Sequence, residues 1–209
     1  MDALRVVVAD DHALTLSGVS DSLESSGITV VGRAKSAPEA TALVSSEKPD
    51  ALITDLNMGP GPTGLDIAHA LRTVQPELGI VVLSSYGDPR LFSEGLSVPP
   101  RGLIYLIKQQ VISTDALSAA IRTSIDRAHA EKAGVLPRIN LTDSQIIVLR
   151  LLAQGLSNQA ISVKLSIAEN SVSKTINRML RRMSIESDPE KNPRAQLLQS
   201  YFDLVGSQR

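Results

Sequence analysis

The sequence predicts an α/β chain: a doubly wound, five-stranded parallel sheet followed by a second, smaller all-α domain. Three observations carry this. Aliphatic runs of strand length alternate with helical patterns through about the first 130 residues and then stop. Aromatic residues are only 2% of the 209, with no Trp, against 43% apolar overall. The core must therefore be Leu, Ile, Val and Ala, which suits a buried parallel sheet better than an aromatic-rich sandwich. Charge also splits along the chain: residues 1–134 carry 11 Lys+Arg against 16 Asp+Glu, and residues 135–209 carry 10 against 6. Two domains with different partners follow, the basic one a candidate for nucleic acid.

The elements follow in order. Leu4–Ala9 is a strand ending at Asp10 and Asp11. A helix with Leu14, Leu16, Val19 and Leu23 on one side is stopped by Gly27. Ile28–Val31 is a second strand, Pro38–Ser46 a helix, and Ala51–Thr54 a third strand entering Asp55. After a Gly/Pro loop come a helix at Leu65–Val74, a fourth strand at Ile80–Leu83 running into Ser84, and a weaker fourth helix at Leu91–Leu96. Leu103–Ile107 is the fifth strand and Ser113–Arg127 a clear helix. Gly134 and Pro137 break the rhythm and read as a linker. Beyond it only helical patterns occur, at 143–154, 158–165, 169–183 and 194–204. The expected domains are 1–132 and 141–209, joined by a linker over 133–140.

Composition excludes several functions. With no Cys there is no disulfide framework, thiolate metal site or Cys nucleophile. His12, His69 and His129 are too far apart in sequence for a histidine metal cluster. No apolar run approaches a spanning helix and no signal-peptide pattern opens the chain, so the expectation is a cytoplasmic protein with no membrane partner.

The chemistry lies at the strand ends, because in an open α/β sheet the functional crevice is at the carboxyl ends of the strands. The first strand ends in Asp10 and Asp11, the third in Asp55, the fourth in Ser84 and the fifth in Lys108. Any one acid there is as readily a solvated helix start; all five at the correct ends are not. Three converging carboxylates repel unless a cation joins them, and oxygen donors favour a hard ion such as Mg²⁺. A Lys and a hydroxyl beside that metal are what a phosphoryl group needs. The set supports phosphoryl transfer onto a carboxylate.

Residues 3–130 resemble the flavodoxin-like receiver domain of bacterial response regulators, through VVVADDH, LITDLNM, VVLSS and YLIK. The resemblance implies that Asp55 is the phospho-acceptor, with Asp11 a direct Mg²⁺ ligand, Asp10 a water-mediated one and the Asn57 backbone carbonyl a third. It makes Ser84 the switch hydroxyl, Lys108 the phosphate-pairing lysine and Tyr105 the aromatic switch. Departures are Met58-Gly59-Pro60 where receivers read Met-Pro-Gly, Gln109 after the lysine, and SVPPRGLIYLIK, whose Pro99 and Pro100 shorten or distort the fourth helix.

Two rival chemistries fail on single residues. GPGPTG matches a dinucleotide-binding glycine pattern, but it follows the third strand, and Pro60 and Pro62 remove two N–H donors. A haloacid-dehalogenase-type phosphatase needs an acid two residues after its nucleophile; position 57 is Asn. An aspartyl-phosphate here would persist, as a signal and not as an enzyme intermediate.

In the second domain, ENSVSKTINRMLRRM places Val172, Ile176, Met179, Leu180 and Met183 on one helix stripe. Lys174, Asn177, Arg178 and Arg181 fall opposite, with Arg182 and Ser173 at the margins. Such a helix alone is as readily a solvated surface helix. With LTDSQIIVLRLLAQGLSNQAIS before it, the region resembles the LuxR-type helix-turn-helix domain of the NarL/FixJ family. That implies a recognition helix at 171–182 and a dimer-contact helix at 194–204. Lys164, Arg181 and Arg182 would then meet phosphates, and Lys174 and Asn177 bases. Departures are Gln145 for Glu, Ala168 at an expected Ser N-cap, Ser184 for Gly, and Ser173 where Lys is frequent.

The whole reads as a response-regulator transcription factor and not an enzyme. The partners implied are DNA, a sensor histidine kinase and a second copy of the chain, with RNA polymerase a candidate fourth. The competing reading is a phosphorylation-independent DNA-binding regulator whose receiver is a dimerisation or ligand module.

Overall fold

The computed structural model describes residues 3–111, 113–128, 134–185 and 192–206. The chain divides into two compact units: Met1–Ser85 with Gly95–Leu136, and Tyr86–Glu94 with Pro137–Arg209. Each is described separately.

The first unit is built on β1 (Arg5–Ala9), β2 (Thr29–Ala34), β3 (Ala51–Asp55), β4 (Gly79–Ser84) and β5 (Ile104–Ile107). All neighbours pair in parallel, in the order β2-β1-β3-β4-β5. Every residue of β3 and β4 is buried, which is why these strands read as unbroken aliphatic runs and not as alternations. The helices are α1 (Ala13–Ser25), α2 (Ala37–Glu47), α3 (Gly64–Val74) and α4 (Thr114–Asp126). Their buried stripes (Leu16 and Leu23; Ala40 and Val44; Leu65, Ala68 and Leu71; Leu117 and Ile121) cover the sheet. Asp55 ends β3 at the carboxyl rim, and the loop after it closes when Thr63 and Asp66 form a reciprocal capping box that starts α3.

The second unit contains α5 (Asp143–Ala153), α6 (Asn158–Leu165), α7 (Glu169–Arg182) and α8 (Pro193–Leu204). Thr142 caps α5 and its N–H is accepted by the Gln145 side chain at 3.0 Å, so Gln serves this capping box in place of Glu. Gly155 turns the chain at φ +86°, a left-handed value that glycine adopts without Cβ strain. Leu149, Leu152, Ile161, Val172, Met179 and Leu197 form a fully buried aliphatic centre.

One expectation is corrected. The fourth helix at Leu91–Leu96 does not form: only a 3-10 turn occurs, at Pro89–Leu91, so among the described residues four helices flank the sheet. Leu91 and Leu96 lie five apart, which is not a helical face, and Pro99 and Pro100 hold the chain extended on the way to β5. Within the stretch 1–132 expected as the first domain, Tyr86–Glu94 packs with the second unit. The described part of the expected linker, 134–140, carries neither helix nor strand; residue 133 lies outside the described residues.

Candidate functional site

Parallel strands bring Asp10, Asp55 and Lys108 to one rim. Lys108 follows β5 directly, and its Nζ lies 2.7 Å from Asp10 Oδ2 and 3.1 Å from Asp55 Oδ2. Asp10 and Asp55 are buried, at 3% and 7% exposure, while Asp11 is only half-buried and opens the site to solvent. Asp10, Asp11, Asp55 and His12 each offer one ligand atom, and these atoms lie within 4.8 Å of one another. The His12 Nδ1 is 2.8 Å from Asp11 Oδ1, and the His12 backbone N–H donates to Asp10 Oδ1 at 2.8 Å. Three carboxylates against one ammonium leave a double negative charge, and oxygen donors so grouped fit a hard divalent ion. Burial pushes the Asp55 carboxyl above its ordinary range; the Lys108 charge opposes this and the Asp10 carboxylate adds to it.

The other expected members fall nearby. Ser84 ends β4 fully buried. Tyr105, half-buried on β5, pairs with Val82, two residues before Ser84, so Ser84 and Tyr105 share a sheet face. Asn57 is not in the carboxylate group; its side chain accepts the Gly59 N–H at 3.2 Å and shapes the turn.

Sequence reasoning missed Gly64, which it left in the Gly/Pro loop. A Cβ there would stand 2.0 Å from the Asp55 carbonyl oxygen, and the Gly64 N–H donates to the Leu56 carbonyl at 2.9 Å. Gly64 thus lets α3 start directly against the backbone of Asp55. The signal was available: Thr63-x-x-Asp66 before an apolar run is a capping box, which makes position 64 the first helical residue.

On α7, Val172, Ile176, Met179 and Leu180 are buried, whereas Lys174, Asn177, Arg178, Arg181 and Arg182 are exposed, as is Lys164 on α6. Helical periodicity thus puts the cations and Asn177 on the solvent side. Two of the expected contacts already have partners within the unit. Ser173 Oγ accepts from Asn158 Nδ2 at 3.2 Å, and Arg182 Nη1 donates to Gln145 Oε1 at 3.3 Å. Arg194, which the sequence did not single out, donates to the Leu156 carbonyl at 2.6 Å and fixes the turn between α5 and α6. Ala168 stands at the N-cap of α7 with no side-chain cap.

Comparison with known proteins agrees with both halves. Residues 6–122 match the response regulator receiver domain, and residues 139–191 match the bacterial regulatory proteins of the luxR family. The chain is 31% identical over 199 residues to a nitrate/nitrite response regulator protein homolog of Haemophilus influenzae, covering 89% of this chain and 93% of that one. It is 29% identical over 201 residues to the nitrate/nitrite response regulator NarL of Escherichia coli, covering 88% and 91%. A solved RcsB–DNA complex shares the fold at TM-score 0.56 and 24% identity, over 97% of this chain and all of that one. An α/β receiver joined to a helical regulatory domain defines a class of signalling protein. The chain belongs to the response regulators that carry a receiver domain and a LuxR-type domain.

Proposed function

We propose that this response regulator is phosphorylated on Asp55 by a sensor histidine kinase and then binds DNA as a dimer through α7 to regulate transcription. The observation that carries the reading is the Lys108 ammonium between Asp10 and Asp55 beside the open carboxylate of Asp11. An Asp55 oxygen attacks the phosphorus of a phosphohistidine; the P–O bond forms as the P–N bond breaks, and the released imidazole takes up a proton. In this reading Lys108 pairs with the new phosphoryl oxygens and Ser84 donates its hydroxyl to them. Asp10, Asp11, Asp55 and the Asn57 carbonyl would hold Mg²⁺, which supplies charge neutralisation at the transferring phosphoryl group. Asn57, with no acidic proton to exchange, leaves the aspartyl-phosphate long-lived.

For DNA, the reading rests on the exposed cations of α7 above its buried stripe. Lys164, Arg181 and Arg182 are assigned to phosphates and Lys174 and Asn177 to base edges, with Arg178 and Ser173 flanking. Similarity to the DNA-binding transcriptional activator DevR/DosR of Mycobacterium tuberculosis, 26% identical over 200 residues, supports this. Among the described residues no helix is long and apolar enough to cross a membrane, in keeping with a cytoplasmic regulator. RNA polymerase is the partner that transcriptional control would add. The test is site selection from random duplexes with and without acetyl phosphate and Mg²⁺. A recovered motif with two half-sites, bound more tightly by the phosphorylated protein, is expected; equal binding in both states would favour the phosphorylation-independent reading.

A further inference from the structure

Leu91–Glu94, most of the segment expected as the fourth receiver helix, is built into the other unit. One residue after Ser84 the chain leaves β4, and Tyr86–Glu94 packs with Pro137–Arg209. Leu91 is 2% exposed within the same aliphatic cluster as Leu141, Leu149 and Leu197. Tyr86 and Phe92 pack with their rings tilted at 59°, centroids 5.3 Å apart, and Tyr86 borders that cluster. Polar anchors join it at two places. Asp88 is fully buried, and its carboxylate accepts the Ile139 N–H at 2.9 Å together with Arg90 Nε and Nη2. The Arg90 guanidinium also donates to the carbonyls of Ile139 and Leu141 and to the Asp143 carboxylate, at 3.2, 3.0 and 2.8 Å. All three nitrogens of its planar fork are therefore engaged at the entry to α5. At the second place, the Gly87 N–H donates to the Leu204 carbonyl at 2.7 Å, at the carboxyl end of α8.

The chain thus crosses between units after Ser85, after Glu94 and after Leu136, and not through a single linker. Pulling Tyr86–Glu94 away from the rest of the second unit would extract a buried ion pair and a buried leucine from its core. Separating one partner of a buried, hydrogen-bonded pair is strongly unfavourable, because the other charge is left uncompensated. Two of the three crossings and both anchors belong to one short stretch that starts next to Ser84.

We infer that Tyr86–Glu94 is a strap that transmits the state of Asp55 from Ser84 to the start of α5 and the end of α8. The inference rests on the reading of Asp55 as phospho-acceptor. A shift of Ser84 toward a phosphoryl group pulls on Tyr86 through Ser85 alone, and the Asp88–Arg90 clamp passes that pull to residues 139–143. The device needs no separate docking face on β5.

The test is hydrogen exchange on the full chain with Mg²⁺, with and without acetyl phosphate, with intact mass taken from the same samples. In the wild type, peptides covering 86–94, 139–143 and 200–205 should change exchange rate together, at least fivefold, when the adduct forms. In Arg90→Ala, at equal adduct yield, the response at 139–143 and 200–205 should vanish while that around Asp55 remains. Arg90→Lys, which keeps the charge beside Asp88 but not the planar fork, should give an intermediate response and serves if Arg90→Ala does not fold. An adduct without change at 139–143 and 200–205 in the wild type overturns the strap. So does an equal response in the Arg90 variants. Absence of any adduct with acetyl phosphate, and again with a phosphorylated histidine kinase as donor, refutes the phospho-acceptor reading itself, is visible separately in the mass, and removes the strap's role with it.

Discussion

Gly64→Ala sets two effects against each other. In a helix, alanine ordinarily gains about 0.5–1 kcal/mol over glycine, since it loses less backbone entropy on folding. Here the new Cβ would lie 2.0 Å from the Asp55 carbonyl oxygen, 3.0 Å from its carbonyl carbon and 3.2 Å from Thr54 Cγ2. Two of those atoms are backbone at the buried end of β3, so no side-chain rotation relieves the contact. Either α3 or the end of β3 must retreat by about 1 Å merely to reach the closest approach real Cβ atoms show. Forcing atoms into a packed site costs roughly 1–3 kcal/mol, and a backbone contact belongs at the upper end. The clash therefore wins, with a net loss of about 2 kcal/mol and a fall in Tm of ~5–10 °C. Because the displaced atom belongs to the phospho-acceptor, the rate of adduct formation from acetyl phosphate should also drop, by roughly 10–100-fold. Thermal melting and time-resolved intact mass read the two effects. A variant that melts within about 2 °C of wild type and is phosphorylated at its rate would refute the reasoning.

Further perturbations test the remaining parts. Because the folded pKa of Asp55 is raised above its unfolded value, the ionised carboxylate contributes instability at neutral pH. Without divalent ions, Asp55→Asn should melt above wild type at pH 7, and the gap should close as pH falls through the raised folded pKa to the ordinary carboxylate range; a lower Tm at pH 7 would contradict this. Mg²⁺ at about 100 times its Kd should add roughly 2.7 kcal/mol to wild-type stability and far less to Asp11→Asn, as denaturant unfolding will show. Arg181→Ala should weaken binding to all duplexes and reduce the salt slope by about 1, whereas Asn177→Ala should alter the motif recovered in site selection. Ala168→Ser should supply the missing cap of α7 and stabilise the second unit by about 1 kcal/mol in denaturant titration.

What was legible in the sequence follows from which interactions are local. Strand runs ending in Asp10, Asp55, Ser84 and Lys108 mark the carboxyl rim, because a parallel sheet puts such ends together whatever the loops do. The 3.6-residue stripe of α7 likewise sorted its buried from its exposed residues before any packing was known. The fourth helix failed because the burial of Leu91 is non-local: it lies in one core cluster with Leu141 and Leu197, and no nearby residue announces that. Nothing near Asp88 and Arg90 in the sequence singles them out, since their partners lie at 139–143. Gly64 was misread for a different cause, because a Gly/Pro-rich string hides the capping box that begins at Thr63.

The central claim is that Asp55 accepts a phosphoryl group, and intact-protein mass after incubation with acetyl phosphate and Mg²⁺ tests it most directly. Wild type should gain a single phosphoryl adduct that Asp55→Asn lacks and that EDTA suppresses. An adduct of equal yield on Asp55→Asn, or none on the folded wild type with either acetyl phosphate or a phosphorylated histidine kinase, would contradict the account.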